Sequence, residues 1–589
     1  MSTLSDRLAA LRTAMVQQDL AAWIINGTDP HSSEYVADRW TTREWISGFS
    51  GSAGSVIITA DEALLFTDSR YFIQAEAELK ESGFTLMKLH TPGYPDMVQY
   101  LNTTFSSGAR VGIAKETLTI SERDRYAKSL AASITLVPSE DLIDAIWRDR
   151  PLVPSTAVLE MAAELTGFSA EAKLAQVRAE LAKKGASVTI ISSLDDIAWL
   201  TNLRASDVVY NPVFYAYLIV GETQAWLCSN LSRYSEEIRS SLAEHFVLVP
   251  YEEVAEVIAK EISAEERVYL DFDRTTLVVE EALKSDNLVS GRDITTDLKA
   301  KKNPTELEGM RRAHLLDGVA LVNFLAKLDT KAGSYTEIEI SELLLAERKR
   351  NKEFLGESFH PISGFNANGA LPHYRATEEH NSTVTGDGLL VLDTGGHYES
   401  GMTDVTRTIL FGEATVQQKQ DYTLVLKGNL ALASARFPEG TFGYQLDVLA
   451  RQFLWDAGLA FFHGTGHGIG FRLNVHEGPQ SISPRAITVA LEEGMIVSDE
   501  PGLYREGEHG IRIENIIVVQ PDVTTDFGRF LSFEVLTICP FERTLIEKDL
   551  LSETEIAMVD AYHSWVYDEL HELVDEAALP YLAAATAPL

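Results

Sequence analysis

The sequence predicts a mixed α/β and α+β chain. Two related α/β domains, about 1–155 and 156–302, precede a strand-rich α+β domain over 303–589, whose last part, about 546–589, is helical. Three observations carry this reading. A helix-then-strand pattern at 5–26 recurs at 171–192 with constant offset. A strong helix start, Asn303-Pro304 followed by Glu306, opens the third region. From Gly388 to about Phe541 the texture changes to short apolar strands separated by glycine turns. At 589 residues the chain is also too long for one core, since single cores stop growing near about 250–300 residues.

The first element is a helix with Leu8, Leu11 and Met15 on one stripe, then a β-branched strand at Ile24–Ile25. Its counterpart places Leu174, Val177 and Leu181 on a helix and Ile190–Ile191 on a strand, with Arg12 matched by Arg178. After a loop, "REWISGFSGSAGSVIIT" is echoed by "IAWLTNLRASD", Trp45 matching Trp199 and Phe49 matching Leu203 in the two copies. The ordered series of helix, strand, tryptophan-containing turn and strand indicates duplication. In the third region Asn303 caps a helix, Pro304 occupies its first turn and Glu306 completes a capping box. Met310, Ala313, Leu316 and Val319–Ala320 continue its apolar stripe. Thr336 with Glu339 opens a second helix, and Ser552 with Glu555 opens an amphipathic helix near the C-terminus.

The balance of 87 acidic against 50 basic residues gives a net charge of −37. Phosphate binding needs a local excess of Lys and Arg, so nucleic acid and anionic membrane surfaces are excluded as partners. No run approaches 18 apolar residues, so no membrane span is expected. The N-terminus reads as an amphipathic helix and not as a signal peptide. Two cysteines, Cys228 and Cys539, lie far apart in strand-like runs, which argues against a disulfide framework. A soluble cytoplasmic protein is the simplest expectation.

Four carboxylates stand where surface charge does not belong. "GLLVLD" runs straight into Asp393, and eleven positions on "MTDVTRTILF" sets Asp404 on a strand face with Thr406 and Thr408. "GMIVSDEPG" ends a strand at Glu500, and "GIRIENIIVV" alternates Ile511 and Ile513 with Arg512 and Glu514. Singly, each could be a strand-end surface charge or part of an ion pair such as Arg512–Glu514. Together they demand cations, because burying an unpaired carboxylate carries an idealised cost on the order of 20 kcal/mol. One arginine does not suffice, whereas two divalent metals would neutralise four carboxylates. Oxygen-rich ligation with one imidazole suits Mn²⁺, Co²⁺ or Zn²⁺, and a metal pair of that kind activates water for hydrolysis of an acyl bond. The stretch "HGTGHGIG", His463 to Gly470, spaces two histidines as a zinc-binding helix would, but its four glycines oppose helix formation.

The order Asp393, Asp404, His467 in "HGTGHGIG", Glu500 in "DEPG" and Glu514 in "IRIEN" resembles the pita-bread metallopeptidases (methionine aminopeptidases, prolidases, aminopeptidases P). "LPHY" around His373, "HGTGHGIG" and "NVHEGP" around His476 are most similar to aminopeptidase P. The resemblance extends over the whole chain, to the long form with two creatinase-like N-terminal domains ahead of the pita-bread catalytic domain. It implies two divalent metal ions, Mn²⁺ foremost with Co²⁺ or Zn²⁺ as alternatives. Asp393 would hold one metal, Asp404 and Glu514 would bridge both, and His467 and Glu500 would complete the other shell, with Glu500 also the general base. His373, His463 and His476 would be catalytic, non-ligand histidines handling protons, and Arg512 would orient carboxylates. Leu503 stands where many relatives carry an aromatic residue. The implied substrates are peptides with N-terminal Xaa-Pro, and the implied assembly is a homodimer. Prolidase, acting on X-Pro dipeptides, is the nearest alternative, and a metal-free pita-bread binding module is the alternative from another class.

Overall fold

In the computed structural model, which describes residues 3–105 and 108–589, the chain opens on the helix Leu4–Gln17. Thr3 caps it reciprocally with Asp6, and the strand Ala22–Ile25 follows. The second copy repeats this with the helix Ala170–Lys183, capped by Ser169, and the strand Val188–Ile191. The tryptophan-containing segment is a short helix in both copies, Thr42–Ser47 and Leu194–Thr201, and not the expected turn. Leu194–Thr201 is buried on every side, so no polar face betrays its helical period in the sequence.

These residues belong to one compact unit, Met1–Met161 with Phe168–Thr296. Each copy builds a six-stranded sheet with the same strand order. The first runs Thr85–Lys88, Ala63–Thr67, Ser55–Thr59, Ala22–Ile25, Ala109–Ala114, Ile134–Ser139. The second runs Val247–Val249, Ala225–Ser229, Ala216–Gly221, Val188–Ile191, Val268–Leu270, Leu288–Ser290. The two central pairings are antiparallel and the flanking ones parallel in both sheets, so the repetition holds at the level of topology. Ile24, Val111 and Ile113 of one sheet share a hydrophobic cluster with Val188, Ile190 and Ile219 of the other. Cys228 and Cys539 are both buried and unbridged.

The second unit is Ala162–Gly167 with Asp297–Leu589. Asn303 caps the helix Pro304–Lys327 by accepting from Thr305 and Glu306 N–H, and Glu306 returns the bond. Thr336–Glu339 does the same for Glu337–Arg348, and Ser552–Glu555 for Glu553–Leu570. Such caps satisfy backbone donors that the helix itself leaves open, typically worth about 1 kcal/mol each. The strands Ile362–Phe365, Gly388–Thr394 and Val405–Phe411 form one antiparallel sheet. Phe437–Pro438, Gly528–Val535, Asn515–Thr525 and Ile496–Asp499 form another. Along Gly388–Thr394, Leu390 and Leu392 pack with Leu321, Phe324 and Leu344, while Leu389 packs with Tyr422, Ile511 and Val559. A strand buried on both faces reads as the unbroken apolar run seen in the sequence. Leu503 lies in the second of these clusters. No helix among the described residues is long and apolar enough to cross a membrane.

Candidate metal centre and active site

Strands and strand ends of the second unit bring the four singled-out carboxylates into one largely buried site. Asp393 lies near the end of Gly388–Thr394, opposite Ile362 on one side and Thr406 on the other. Asp404 immediately precedes Val405–Phe411, and Glu500 immediately follows Ile496–Asp499. Glu514 sits in a break between His509–Arg512 and Asn515–Thr525, where the sequence alternation suggests a continuous strand. The break arises because Ile513 N–H turns to Pro501 O (3.3 Å) and Glu514 N–H to Thr406 O (3.1 Å). His467 Nε2 lies 3.5 Å from both Asp404 Oδ2 and Glu500 Oε1. One donor atom each from Asp404, His467 and Glu514 fall within 4.8 Å of one another, a spacing that a metal ion can bridge.

The charge balance fits such an occupant. Burial, then the charges of Asp393 and Glu500, pushes the Asp404 carboxyl well above the usual range. Burial, then Asp404, Glu500 and Asp393, does the same to Glu514. Glu500 is pushed up to about 7, chiefly by burial, although Arg512 opposes the shift. Carboxyls crowded this way hold protons until cations replace them. Asp393 Oδ1 is buried with no hydrogen-bond partner, as expected of an oxygen reserved for a ligand.

The surrounding side chains hold the donors in place. Arg512 Nη2 donates to Asp393 Oδ2 at 2.5 Å, so the arginine pairs with Asp393 and not with Glu514. Its Nε donates to Thr406 Oγ1 (3.2 Å), whose hydroxyl donates to Glu514 Oε2 (2.9 Å). Its Nη1 donates to the Tyr504 hydroxyl (2.8 Å), which lies 2.8 Å from His463 Nε2. Burial pushes the Tyr504 hydroxyl up to about 12, so it keeps its proton. The Tyr504 hydroxyl can thus accept from Arg512 and donate to His463 Nε2 at once. His463 Nδ1 then carries its own hydrogen and donates to Gly464 O (2.7 Å). Ser498 Oγ accepts from His467 N–H (2.9 Å) and donates to Glu500 Oε1 (3.0 Å). Arg407, fully enclosed, donates to Glu514 O and to Asn515, Cys539 and Tyr562, fixing the backbone that carries Glu514. The Asp317 carboxylate receives Arg348, Tyr398 and the Thr403 hydroxyl, which fixes the residue before Asp404.

The histidines are placed unequally. His476 sets its ring edge-on against His467, with centroids 4.3 Å apart. His463 reaches the carboxylates through Tyr504 and Arg512. His373 sits half-buried on the segment after Asn366–Ala370. That segment is pinned by the Glu337 carboxylate, which accepts from Phe365 N–H, Ser382 N–H, Asn368 Nδ2 and the Tyr374 hydroxyl. "HGTGHGIG" is extended, with Gly466–His467 as a short strand. A Cβ on Gly466 would come within 1.8 Å of Ser498 O, and one on Gly468 within 1.9 Å of Glu477 O. Glycine is required there for backbones to pass at contact distance.

Family comparison agrees with this geometry. A model of metallopeptidase family M24 matches residues 308–521, and a model of that family's C-terminal region matches 529–589. Models of the creatinase/prolidase N-terminal domain match 7–146 and 149–306. A probable Xaa-Pro aminopeptidase P from Laccaria bicolor is 40% identical over 99% of this chain and 94% of its own. The chain belongs to metallopeptidase family M24. Xaa-Pro aminopeptidase 1 of Dictyostelium discoideum, another relative of this M24 chain, is 37% identical over 97% of this chain and 94% of its own. The X-prolyl aminopeptidase of Caenorhabditis elegans, described as a cytosolic enzyme with a di-nuclear active site, is 33% identical and aligns over 100% of both chains at TM-score 0.95. An Xaa-Pro dipeptidase from Bacillus anthracis, 25% identical, covers 64% of this chain and 99% of its own at TM-score 0.52. Two creatinase-type N-terminal domains ahead of an M24 pita-bread domain is the architecture expected from the sequence.

Of the groups that hold this site together, Tyr504, Ser498, Arg407, Asp317 and Glu337 escaped sequence reasoning. Arg512 carried a signal through its alternation with Ile511 and Ile513, and Thr406 and Thr408 carried one as polar residues in phase with Asp404 on an apolar strand.

Proposed function

We propose that this chain is a metal-dependent aminopeptidase that releases the N-terminal residue from peptides with proline in second position. The observation that carries the reading is the clustered set of buried Asp393, Asp404 and Glu514 with half-buried His467 and Glu500, and Arg512 as the contacting guanidinium. Asp393, Asp404, His467, Glu500 and Glu514 would hold two divalent ions between them. Oxygen-rich ligation with one imidazole favours Mn²⁺, with Co²⁺ or Zn²⁺ able to substitute. When bound, such a pair supplies a nucleophilic water at neutral pH and polarises the scissile carbonyl.

The protein's own groups do the rest. Glu500, on the rim of the donor set, takes up the proton of the attacking water. The proline nitrogen leaves as a secondary amine and must be protonated as it departs. His476, beside His467, and His463, hydrogen-bonded to Tyr504, are the groups to handle that proton, with His373 on the Glu337-anchored segment. Arg512 orients Asp393. The reading takes the chain as three segments with boundaries near 155 and 302, working in the cytoplasm as a homodimer. Full-length similarity to X-prolyl aminopeptidase, against partial similarity to dipeptidases, favours this reading over prolidase. With Mn²⁺ supplied, the tripeptide Arg-Pro-Pro should be cleaved well ahead of the dipeptide Gly-Pro; the reverse order would assign the protein to the dipeptidases.

A further inference from the structure

Between Gly468 and Ser481 the chain leaves His467 and returns to pair with it, His467 opposite Ser481 and Gly466 opposite Ile482. His476 rides on this excursion. The next residue, Glu477, closes it by donating its N–H to Gly468 O at 2.8 Å. The Glu477 carboxylate points away into the protein and meets two ammoniums. Lys302 Nζ pairs with Oε1, and Lys299 Nζ lies 3.2 Å from Oε2; all three side chains are 2% exposed or less. Both lysines belong to the short stretch that enters the catalytic unit just before the helix Pro304–Lys327. That stretch is itself tied down, since Lys302 N–H donates to Gly494 O at 2.9 Å and Lys301 bridges to Met495.

Three buried charges are a costly way to fill space, because apolar side chains of similar volume are often as stabilising or more so. What the ionic knot provides is a fixed direction, and the residue it fixes adjoins His476. His467 has its own anchors, Ser498 Oγ on its N–H and Gly468 O on Nδ1. His476 stands between Val475, which packs in the core, and Glu477, so the backbone on both sides of it is held. We propose that Glu477, held by Lys299 and Lys302, is a positioning residue that sets the placement of His476 against His467 from the segment entering the catalytic unit. This inference rests on the aminopeptidase reading, and the test keeps the two apart.

The test measures kcat and KM on an Xaa-Pro tripeptide, with bound metal, for full-length Mn²⁺-loaded wild type, Glu477→Gln, His476→Ala and the double variant. Glu477→Gln should lower kcat tenfold or more with KM and metal content unchanged. In the His476→Ala background it should add less than twofold, because its effect runs through that histidine. An equal loss in both backgrounds, or an unchanged kcat, overturns the proposal. Should Glu477→Gln not fold with two ammoniums unpaired, Lys299→Met/Glu477→Met/Lys302→Met removes all three charges. It should show the same His476-dependent loss, and wild-type kcat in it overturns the proposal. A fully active His476→Ala also overturns it while leaving the aminopeptidase reading intact. A wild type that cleaves no Xaa-Pro peptide defeats both.

Discussion

Replacing Arg348 by methionine removes a charge from the interior while keeping most of the side chain's length. Arg348 and Asp317 are 1% and 2% exposed, and the guanidinium reaches the carboxylate through two bonds of 2.7 and 3.0 Å. A third bond, 3.1 Å, goes to Gly395 O. In Arg348→Met the Asp317 carboxylate keeps only the hydroxyls of Tyr398 (2.7 Å) and Thr403 (2.8 Å). Breaking one side of a buried pair typically costs about 3–5 kcal/mol, roughly a hundredfold to several-thousandfold in the folding equilibrium at about 1.4 kcal/mol per tenfold. In urea, with slopes of about 2–3 kcal/mol/M, the midpoint should fall by more than about 1 M. Burial pushes the Asp317 carboxyl up, but the Arg348 guanidinium overcomes this and holds it below its usual value. That contribution is complete above the unfolded pKa, about 3.9, and is lost as pH falls through the lower folded value. The gap between wild type and variant should therefore narrow in acid. Because Thr403 precedes Asp404, metal affinity should drop as well. Urea unfolding by circular dichroism at pH 7 decides the matter. A change below about 1 kcal/mol would refute the view that this network holds the metal-side strand.

Other outcomes follow from the same geometry. His467→Ala should lose bound metal, whereas His463→Ala should retain it and lose much of kcat; metal loss in His463→Ala would break the division of roles between them. Since Glu500 is pushed up to about 7 and the Asp404 and Glu514 carboxyls are pushed well above their usual range by burial and by one another, adding Mn²⁺ to chelator-stripped protein near pH 7 should release protons. A pH-stat trace without acidification would contradict the described electrostatics. In the first unit, burial and the neighbouring Asp141 push Glu116 up to about 7 against Arg150. A raised folded pKa stabilises below the unfolded value, and that stability fades as pH rises through about 7. Glu116→Gln should therefore gain stability relative to wild type between pH 6 and 8, measured by thermal unfolding, and a constant difference across that range would count against it.

The parts of this molecule legible in its sequence are those whose physics is local. Capping boxes at Thr336 and Ser552 are signals three residues long, and both appear as read. The duplicated helix–strand unit was legible because period and offset repeat. The buried carboxylates stood out as charges in apolar runs. What stayed hidden depends on partners distant in the chain. Arg512 finds Asp393, 119 residues away, and Lys302 finds Glu477, 175 away, and no residue's type announces its mate. The helix Leu194–Thr201 leaves no helical pattern in the sequence because complete burial erases amphipathicity. The strand through Glu514 was read as continuous because alternation survives a break that only the bonds to Pro501 and Thr406 reveal.

The central claim is that Asp393, Asp404, His467, Glu500 and Glu514 together hold two metal ions that the peptidase reaction requires. Stripping the full-length protein with chelator and titrating Mn²⁺ back, with bound metal and cleavage of an Xaa-Pro tripeptide followed on the same samples, tests it directly. The account predicts that stripped protein is inactive and that activity returns as binding saturates at two ions per chain, with Asp404→Ala binding neither ion tightly. Full activity in metal-free protein, or an Asp404→Ala variant that binds and cleaves like wild type, would contradict it.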